Sequence, residues 1–240
     1  MQRLNNYISA SGLCSRRDAD QWIVDGRVTV NGVLAVVGMK VGEDDVVMVD
    51  GAEIKAKEKH VTLLYYKPVG ITCTSESDVK GNIIEAINYP VRIFPIGRLD
   101  KDSEGLILLT SDGSIVNKIL RAENAHDKEY IVHLSSSIKP DFKKKMESGV
   151  EIYNPVRSEM TKTLPCRVKI VNDTTFIIVL NQGLNRQIRR MCSALGYHVV
   201  RLKRMRIMNF QLGNLKKGEW RELSSQEVAE LMSHLENQSQ

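Results

Sequence analysis

Long apolar runs are missing from this chain of 240 residues. No stretch approaches the roughly 20 apolar residues that a membrane-spanning helix needs. The first residues, which include Arg3, Asn5 and Asn6, also lack the apolar core of a signal peptide. The sequence therefore predicts a cytoplasmic protein that has no membrane partner.

Clustered metal ligands are missing as well. The four cysteines include no Cys-x-x-Cys pair, and the five histidines include no His-x-x-x-His pair. The chain also has no glycine-rich phosphate loop and no dinucleotide fingerprint. These absences argue against a structural zinc site and a disulfide framework, so we expect no metal, no cofactor and reduced, mostly buried thiols. The cysteines are Cys14, Cys73, Cys166 and Cys192.

Positive charge is present but unevenly distributed, within a net charge of +5. Residues 1–58 hold 7 Lys and Arg against 9 Asp and Glu, whereas residues 59–240 hold 27 against 20. Between Asn181 and Arg221 only Glu219 opposes a dense basic stretch, which suits a nucleic-acid backbone. The alternative is an ordinary solvated surface. The basic residues are Arg186, Arg189, Arg190, Arg201, Lys203, Arg204, Arg206, Lys216, Lys217 and Arg221.

The first 58 residues predict a compact unit of helices and hairpins. Ser15 with Asp18 three positions later is a capping-box pattern for a helix, and Asn31-Gly32 is a hairpin turn signal. Residues 52–60 are polar and predict a linker. We therefore expect two domains, residues 1–58 and residues 59–240.

The remainder alternates strand and helix patterns, which predicts an α+β fold around a central, mainly antiparallel mixed sheet. Helices are expected at residues 82–87, 111–121, 140–148 and 186–195, and after Ser224. Strands are expected at residues 61–66, 106–109, 130–134, 166–171, 176–180 and 199–207.

The most informative segment is a charged loop that runs directly into a buried strand. Gly97 supplies backbone freedom, Arg98 supplies a positive charge, and Asp100 lies just before the apolar residues 106–109. A carboxylate in this position can do chemistry. Spacing alone nevertheless favours an ordinary loop aspartate paired with an arginine.

Three segments together resemble the conserved elements of one enzyme family. Residues 97–106 are similar to the catalytic motif of bacterial ribosomal pseudouridine synthases of the RsuA/RluF group. Residues 126–130 and 183–191 resemble the second and third elements of that group, in the same order and at matching separations. Residues 183–192 and 206–209 are most similar to members that act on the large ribosomal subunit.

The N-terminal unit resembles the S4-like RNA-binding domain of the same group. This resemblance implies that Arg16 and Arg17, at the predicted start of a helix, face RNA phosphates. The alternative is that they pair with Asp18 and Asp20.

The resemblance implies an isomerisation in which uracil leaves the ribose through nitrogen and rejoins it through carbon. Asp100 would attack the anomeric carbon or remove a proton from its neighbour, and both routes stay open. Burial alone disfavours a charged carboxylate, so an opposite charge is needed, and the resemblance assigns that role to Arg189. Tyr130 would stack on the base and Ile188 would line its pocket.

Other residues are expected to bind the substrate. A buried aspartate can reach a uridine in structured RNA only if the base is flipped out, and backbone contacts would offset the unstacking cost. Arg186 and Arg190 would supply such contacts. Lys67 begins a loop that resembles one near the RNA, although a simple turn fits equally well. Arg98 would pair with a carboxylate, hold the RNA backbone or fix the loop.

The leading hypothesis is a monomeric synthase that converts one uridine in large-subunit (23S) ribosomal RNA. One rival is a relative that acts on small-subunit RNA or also on a structured tRNA. A rival of another class is a non-catalytic RNA-binding factor in ribosome assembly, which would tolerate the loss of Asp100.

Overall fold

The computed structural model describes residues 1–42, 44–54, 60–76, 78–113, 115–116 and 127–236. The side chains of residues 234–236 are outside this description. The named helices are α1 Leu4–Ala10, α2 Arg16–Val24, α3 Ile83–Ile87, α4 Phe142–Glu147, α5 Gln187–Ala194 and α6 Ser225–Glu236.

The N-terminal unit packs α1 and α2 against short strands. Helix α2 begins where the sequence predicts, because Ser15 and Asp18 form a capping box. The hairpin turn also lies where the sequence predicts, since Asn31 and Gly32 both have positive φ. The strands are β1 Gln2–Arg3, β2 Val28–Val30, β3 Val33–Leu34, β4 Lys40–Val41, β5 Val47–Val49 and β6 Ala52–Glu53.

The predicted linker begins later than expected. Ala52 and Glu53 form β6, which pairs with β5 across the Asp50-Gly51 turn. Ile54 is buried in the N-terminal core. The prediction of a polar linker from residue 52 is therefore wrong for residues 52–54, and residues 55–59 lie outside the described residues. The domain division after residue 58 stays a prediction.

A large mixed sheet forms the rest of the molecule, in the order β13-β14-β10-β15-β9-β7-β17, with β8 on β9 and β16 on β15. Its neighbours are antiparallel except for β9 and β15, which confirms the predicted α+β class. The strands are β7 Thr62–Lys67, β8 Phe94–Ile96, β9 Glu104–Thr110, β10 Lys128–Leu134, β13 Arg167–Asn172, β14 Thr175–Leu180, β15 Val199–Ile207, β16 Phe210–Gln211 and β17 Trp220–Glu222.

Strands that lack a strong local signal were not predicted. They include β8, β16 and β17, and a separate hairpin of β11 Glu151–Asn154 and β12 Glu159–Lys162. The predicted helix at residues 111–121 falls largely outside the described residues. Within the described part of the chain, no helix is long and apolar enough to cross a membrane.

The parallel pair depends on one glycine. Gly105 lies opposite Arg204, with φ of +117°. A Cβ atom at Gly105 would lie 2.2 Å from the Arg204 carbonyl oxygen and 2.5 Å from its nitrogen. Backbone atoms cannot move away as a flexible side chain can, so only glycine allows β9 to approach β15 this closely.

We expect Gly105→Ala to lower the free energy of unfolding by about 3 kcal/mol or more, because it adds a backbone clash to an unfavourable φ. Urea denaturation measures this loss. Gly218→Ala is the matched control, since Gly218 also has positive φ (+83°) but an added Cβ would meet nothing within 4 Å. The control should cost about 1–2 kcal/mol. Equal losses in both variants would show that the close approach is unimportant.

Candidate active site

Backbone contacts hold the loop that carries Asp100. The Leu99 amide approaches Cys73 Sγ at 3.4 Å, and the Ser103 amide donates to the Asp100 carbonyl at 3.0 Å. The Gly70 amide donates to the Lys101 carbonyl at 2.7 Å, which ties the loop after β7 to the same turn. Leu99 is buried while the Asp100 side chain stays 32% exposed. Asp100 is therefore fixed in position and still accessible.

Arg186 is the cation that pairs with Asp100 among the described residues. Its Nη1 lies 3.8 Å from Asp100 Oδ2, which is too long for a hydrogen bond. The same guanidinium donates two hydrogen bonds to the Asp102 carboxylate, at 2.9 and 2.7 Å. These bonds from Arg186 hold the pKa of Asp102 below its usual range. Arg186 itself precedes α5 with a left-handed backbone, at φ of +49°.

Arg189 contacts the segment after Asp100 rather than Asp100 itself. Its Nη2 donates to the Asp102 carbonyl at 2.8 Å and to Ser103 Oγ at 3.2 Å, while Nη1 donates to the Val199 carbonyl at 3.2 Å. Its Nε lies 3.4 Å from Asp102 Oδ2. Arg186 is the guanidinium that lies 3.8 Å from Asp100, and the expectation that Arg189 supplies the opposite charge for Asp100 stays a prediction.

Tyr130 and Ile188 belong to one buried apolar cluster that also contains Leu99 and Cys73. Tyr130 lies on β10 and Ile188 on α5, so distant parts of the chain contribute to this cluster. The pairing of β10 with β15 shifts register between Glu129 and Tyr130. Such bulges often redirect a side chain near an active site.

Lys67 is placed differently from the expectation. The side chain is fully buried, and its Nζ donates to the Pro68 carbonyl at 2.8 Å and the Ile71 carbonyl at 2.9 Å. Burial lowers the pKa of Lys67. The ammonium therefore stabilises the turn after β7, as the alternative of a simple turn has it, and the expectation that Lys67 binds the substrate stays a prediction.

The remaining predicted binding residues lie on the surface or close to it. Arg98, Arg16 and Arg17 are exposed, and Arg16 donates to the Gly113 carbonyl at 3.2 Å. Arg190 is partly buried and donates to the carbonyl and side chain of Asn185.

The basic stretch is more neutralised than its local sequence indicates. Arg204 is buried and donates to the Leu106 carbonyl at 2.7 Å. Arg206 lies 3.7 Å from Glu129, and Arg221 makes a 2.7 Å ion pair with Glu227. Both acids, Glu129 and Glu227, lie outside residues 181–221. The prediction that this basic stretch suits a nucleic-acid backbone therefore applies to only part of it.

Part of the stretch lines a cleft of about 580 Å³ beside the Asp100 loop. Asp102 and four arginines, Arg186, Arg189, Arg190 and Arg201, lie along it. An accessible carboxylate next to a cleft rich in arginine is the arrangement expected of an enzyme that acts on a polyanion such as RNA.

Sequence reasoning did not assign site roles to Asp102, Ser103 or Glu104. Asp102 and Ser103 contact Arg186 or Arg189, and the buried Glu104 contacts Arg201 and Lys217. All three lie within the motif at residues 97–106, and the alternation of acids at 100, 102 and 104 was the available signal.

The fold and this site are those of an RNA-modifying enzyme with a separate RNA-binding unit. A family model described as RNA pseudouridylate synthase matches residues 61–194, and one described as S4 domain matches residues 2–47. The chain therefore belongs to the RNA pseudouridine synthase family, in its RsuA-type branch with an N-terminal S4 domain.

Similar proteins agree with this assignment. The chain is 48% identical to the dual-specificity RNA pseudouridine synthase RluF of Escherichia coli K12, across 99% of this chain and 80% of that protein. It is 36% identical to the ribosomal large subunit pseudouridine synthase B of Bacillus subtilis, across 96% of each. A solved pseudouridylate synthase matches at a TM-score of 0.68 and 27% identity, across 96% of this chain and 100% of that one.

We expect Arg189→Ala to lower the free energy of unfolding by about 2–3 kcal/mol, because it removes a largely buried donor from several acceptors. Chemical denaturation measures this. Arg190→Ala removes the same charge from the same helix but only local contacts to Asn185, and should stay within about 0.5 kcal/mol. Equal stability of the two variants would contradict the positioning role of Arg189.

Proposed function

We propose that this enzyme isomerises a specific uridine of large-subunit (23S) ribosomal RNA in the cytoplasm, with Asp100 as the reacting carboxylate. The observation that carries the proposal is the placement of Asp100, which is accessible and lies 3.8 Å from a guanidinium. Its carboxylate can act on the ribose by attack on the anomeric carbon or by removal of a neighbouring proton.

The arginines near Asp100 have different roles in this proposal. Arg186 places a positive charge 3.8 Å from Asp100 Oδ2 without occupying that oxygen in a hydrogen bond. Arg189 fixes Asp102 and Ser103, so it sets the position of the loop that carries Asp100. Arg98 is exposed and Arg190 lies along the cleft, and both would contact phosphates of the RNA.

The apolar cluster supports a flipped base. Tyr130 and Ile188 contribute an aromatic ring and an aliphatic side chain from different elements to the apolar cluster that also contains Leu99. A ring can stack on the face of an extruded uracil, while Ile188 excludes water from its edge. Unstacking costs a few kcal/mol, which contacts to the RNA backbone in the cleft would offset.

The large-subunit target is supported by the Bacillus subtilis relative, whose name assigns it to that subunit. A second RNA substrate, such as a structured tRNA, is favoured by the name of the Escherichia coli relative, which describes dual specificity. Small-subunit RNA is the remaining alternative substrate. We propose that the enzyme acts as a monomer.

The decisive measurement is pseudouridine mapping of ribosomal RNA and tRNA from cells that lack this gene. One site in 23S RNA should lose its modification, and the wild-type gene should restore it. Asp100→Asn should not restore it, because the amide keeps the shape but cannot act as a nucleophile or base. Full restoration by Asp100→Asn would reject the catalytic assignment, and unchanged 23S RNA would reject the target.

Deletion of residues 1–58 tests the proposed domain division. We expect the remaining chain to keep a cooperative unfolding transition, because the large sheet has its own buried clusters. Affinity for a 23S transcript should fall at least tenfold, since the S4 domain no longer contributes phosphate contacts. Circular dichroism and filter binding measure the two effects. An unfolded remainder would contradict the division, and unchanged affinity would contradict RNA binding by the N-terminal unit.

A further inference from the structure

Glu104 is a buried carboxylate that the reaction does not use. It is 1% exposed and begins β9, directly after the loop of Asp100. Three side chains from three strands or loops converge on it. Arg201 Nε donates to Glu104 Oε1, Lys217 Nζ lies 2.9 Å from Oε2, and the Tyr66 hydroxyl donates to Oε2 at 3.2 Å.

The cations around Glu104 outnumber it. Burial raises the pKa of Glu104, but hydrogen bonds from Lys217 and Arg201 outweigh it, and the pKa stays below its usual range. One negative charge therefore faces two cations, and Lys203 adds a third, with its Nζ 4.8 Å from the centre of the Tyr66 ring. The side chains of Arg201 and Lys217 remain 49% and 53% exposed, so the excess charge faces solvent.

The position of this cluster links it to the cleft. Arg201 lines the cleft beside Asp102, Arg186 and Arg189. Lys203 is paired with Glu104 across the parallel strands. Two arginines of the cleft are therefore each held by an acid of the same segment, Arg186 by Asp102 and Arg201 by Glu104.

We propose that Arg201, Lys203 and Lys217 form an RNA phosphate-binding site, which Glu104 preorganises by holding the ends of Arg201 and Lys217. The proposal rests on the proposed action on RNA and adds a specific contact to it. Long cationic side chains lose rotamer freedom when they bind, and side chains that are already held lose less. Glu104 and Tyr66 act as positioning residues, and the phosphate would bind to the exposed sides of the cations.

Paired lysines provide the first test. Lys216 and Lys217 are neighbours and both exposed, but only Lys217 has a contact to Glu104 given by the structure. We expect Lys217→Ala to weaken binding of an unmodified 23S transcript about fivefold or more, and to lower the slope of log K against log salt by about 0.7–0.9. Lys216→Ala should change affinity less than twofold. Equal effects of the two variants, or no effect of Lys217→Ala, would overturn the proposal.

Glu104→Gln provides the second test, because charge and positioning predict opposite results. The variant removes a negative charge, so a simple charge effect would tighten RNA binding. The positioning proposal predicts binding weakened about threefold to fivefold, with KM raised more than kcat is lowered. The affinity of the double variant Glu104→Gln with Lys217→Ala for the transcript should be at most about twofold lower than the affinity of Lys217→Ala alone. Tighter binding by Glu104→Gln, or fully additive losses, would refute the proposal.

Pseudouridine formation by the wild-type enzyme in the same transcript separates this proposal from the proposed function. If the wild type forms no pseudouridine in 23S RNA, the target is wrong. The slopes of log K against log salt for the two lysine variants still decide whether the phosphate site exists, because these slopes report RNA binding and do not depend on the reaction.

Discussion

The close approach of β9 to β15 at Gly105 is the constraint on which the rest of the structure depends. It is the parallel pair that joins β7, β8, β9 and β17 to β10, β13, β14 and β15. The paired residues are about a hundred positions apart in the chain, so no local turn can bring them together. Because β9 starts at Glu104, this pairing also places the Asp100 loop near the start of α5 and near β15, and the arginines of the cleft come from these two regions.

Local signals predicted most of the individual elements because the physics that forms them is local. The Ser15 cap of α2 and the Asn31-Gly32 turn are decided by a few neighbouring residues, and both appear in the structure as expected. Asp50-Gly51 has the same turn chemistry, with positive φ at both residues, and would have predicted β6. The polar residues that follow Asp50-Gly51 also favour a linker, and this competing pattern hides the strand signal of β6.

Charge partners could not be predicted in the same way. A count along the sequence leaves residues 181–221 almost unopposed by acid, yet Arg201 finds Glu104, 97 positions away. Lys67 and Arg204 are buried and donate to backbone carbonyls, which no charge pattern distinguishes from a solvent-exposed cation. Family resemblance pointed to the segments that carry Asp100, Arg186 and Arg189, but the acid or carbonyl that each arginine contacts is decided by the three-dimensional fold.

The alternation of acids at positions 100, 102 and 104 gives these three carboxylates different environments. Asp102 accepts two hydrogen bonds from Arg186, and Glu104 is buried under Arg201 and Lys217. Asp100 is near a guanidinium but accepts no hydrogen bond from it at 3.8 Å. A carboxylate whose oxygens both bind an arginine is stabilised as an ion and weakened as a nucleophile or base, because its lone pairs are occupied. Asp102 therefore holds Arg186 close to Asp100 while the Asp100 carboxylate accepts no hydrogen bond from it, which is the state that the proposed reaction at the ribose requires.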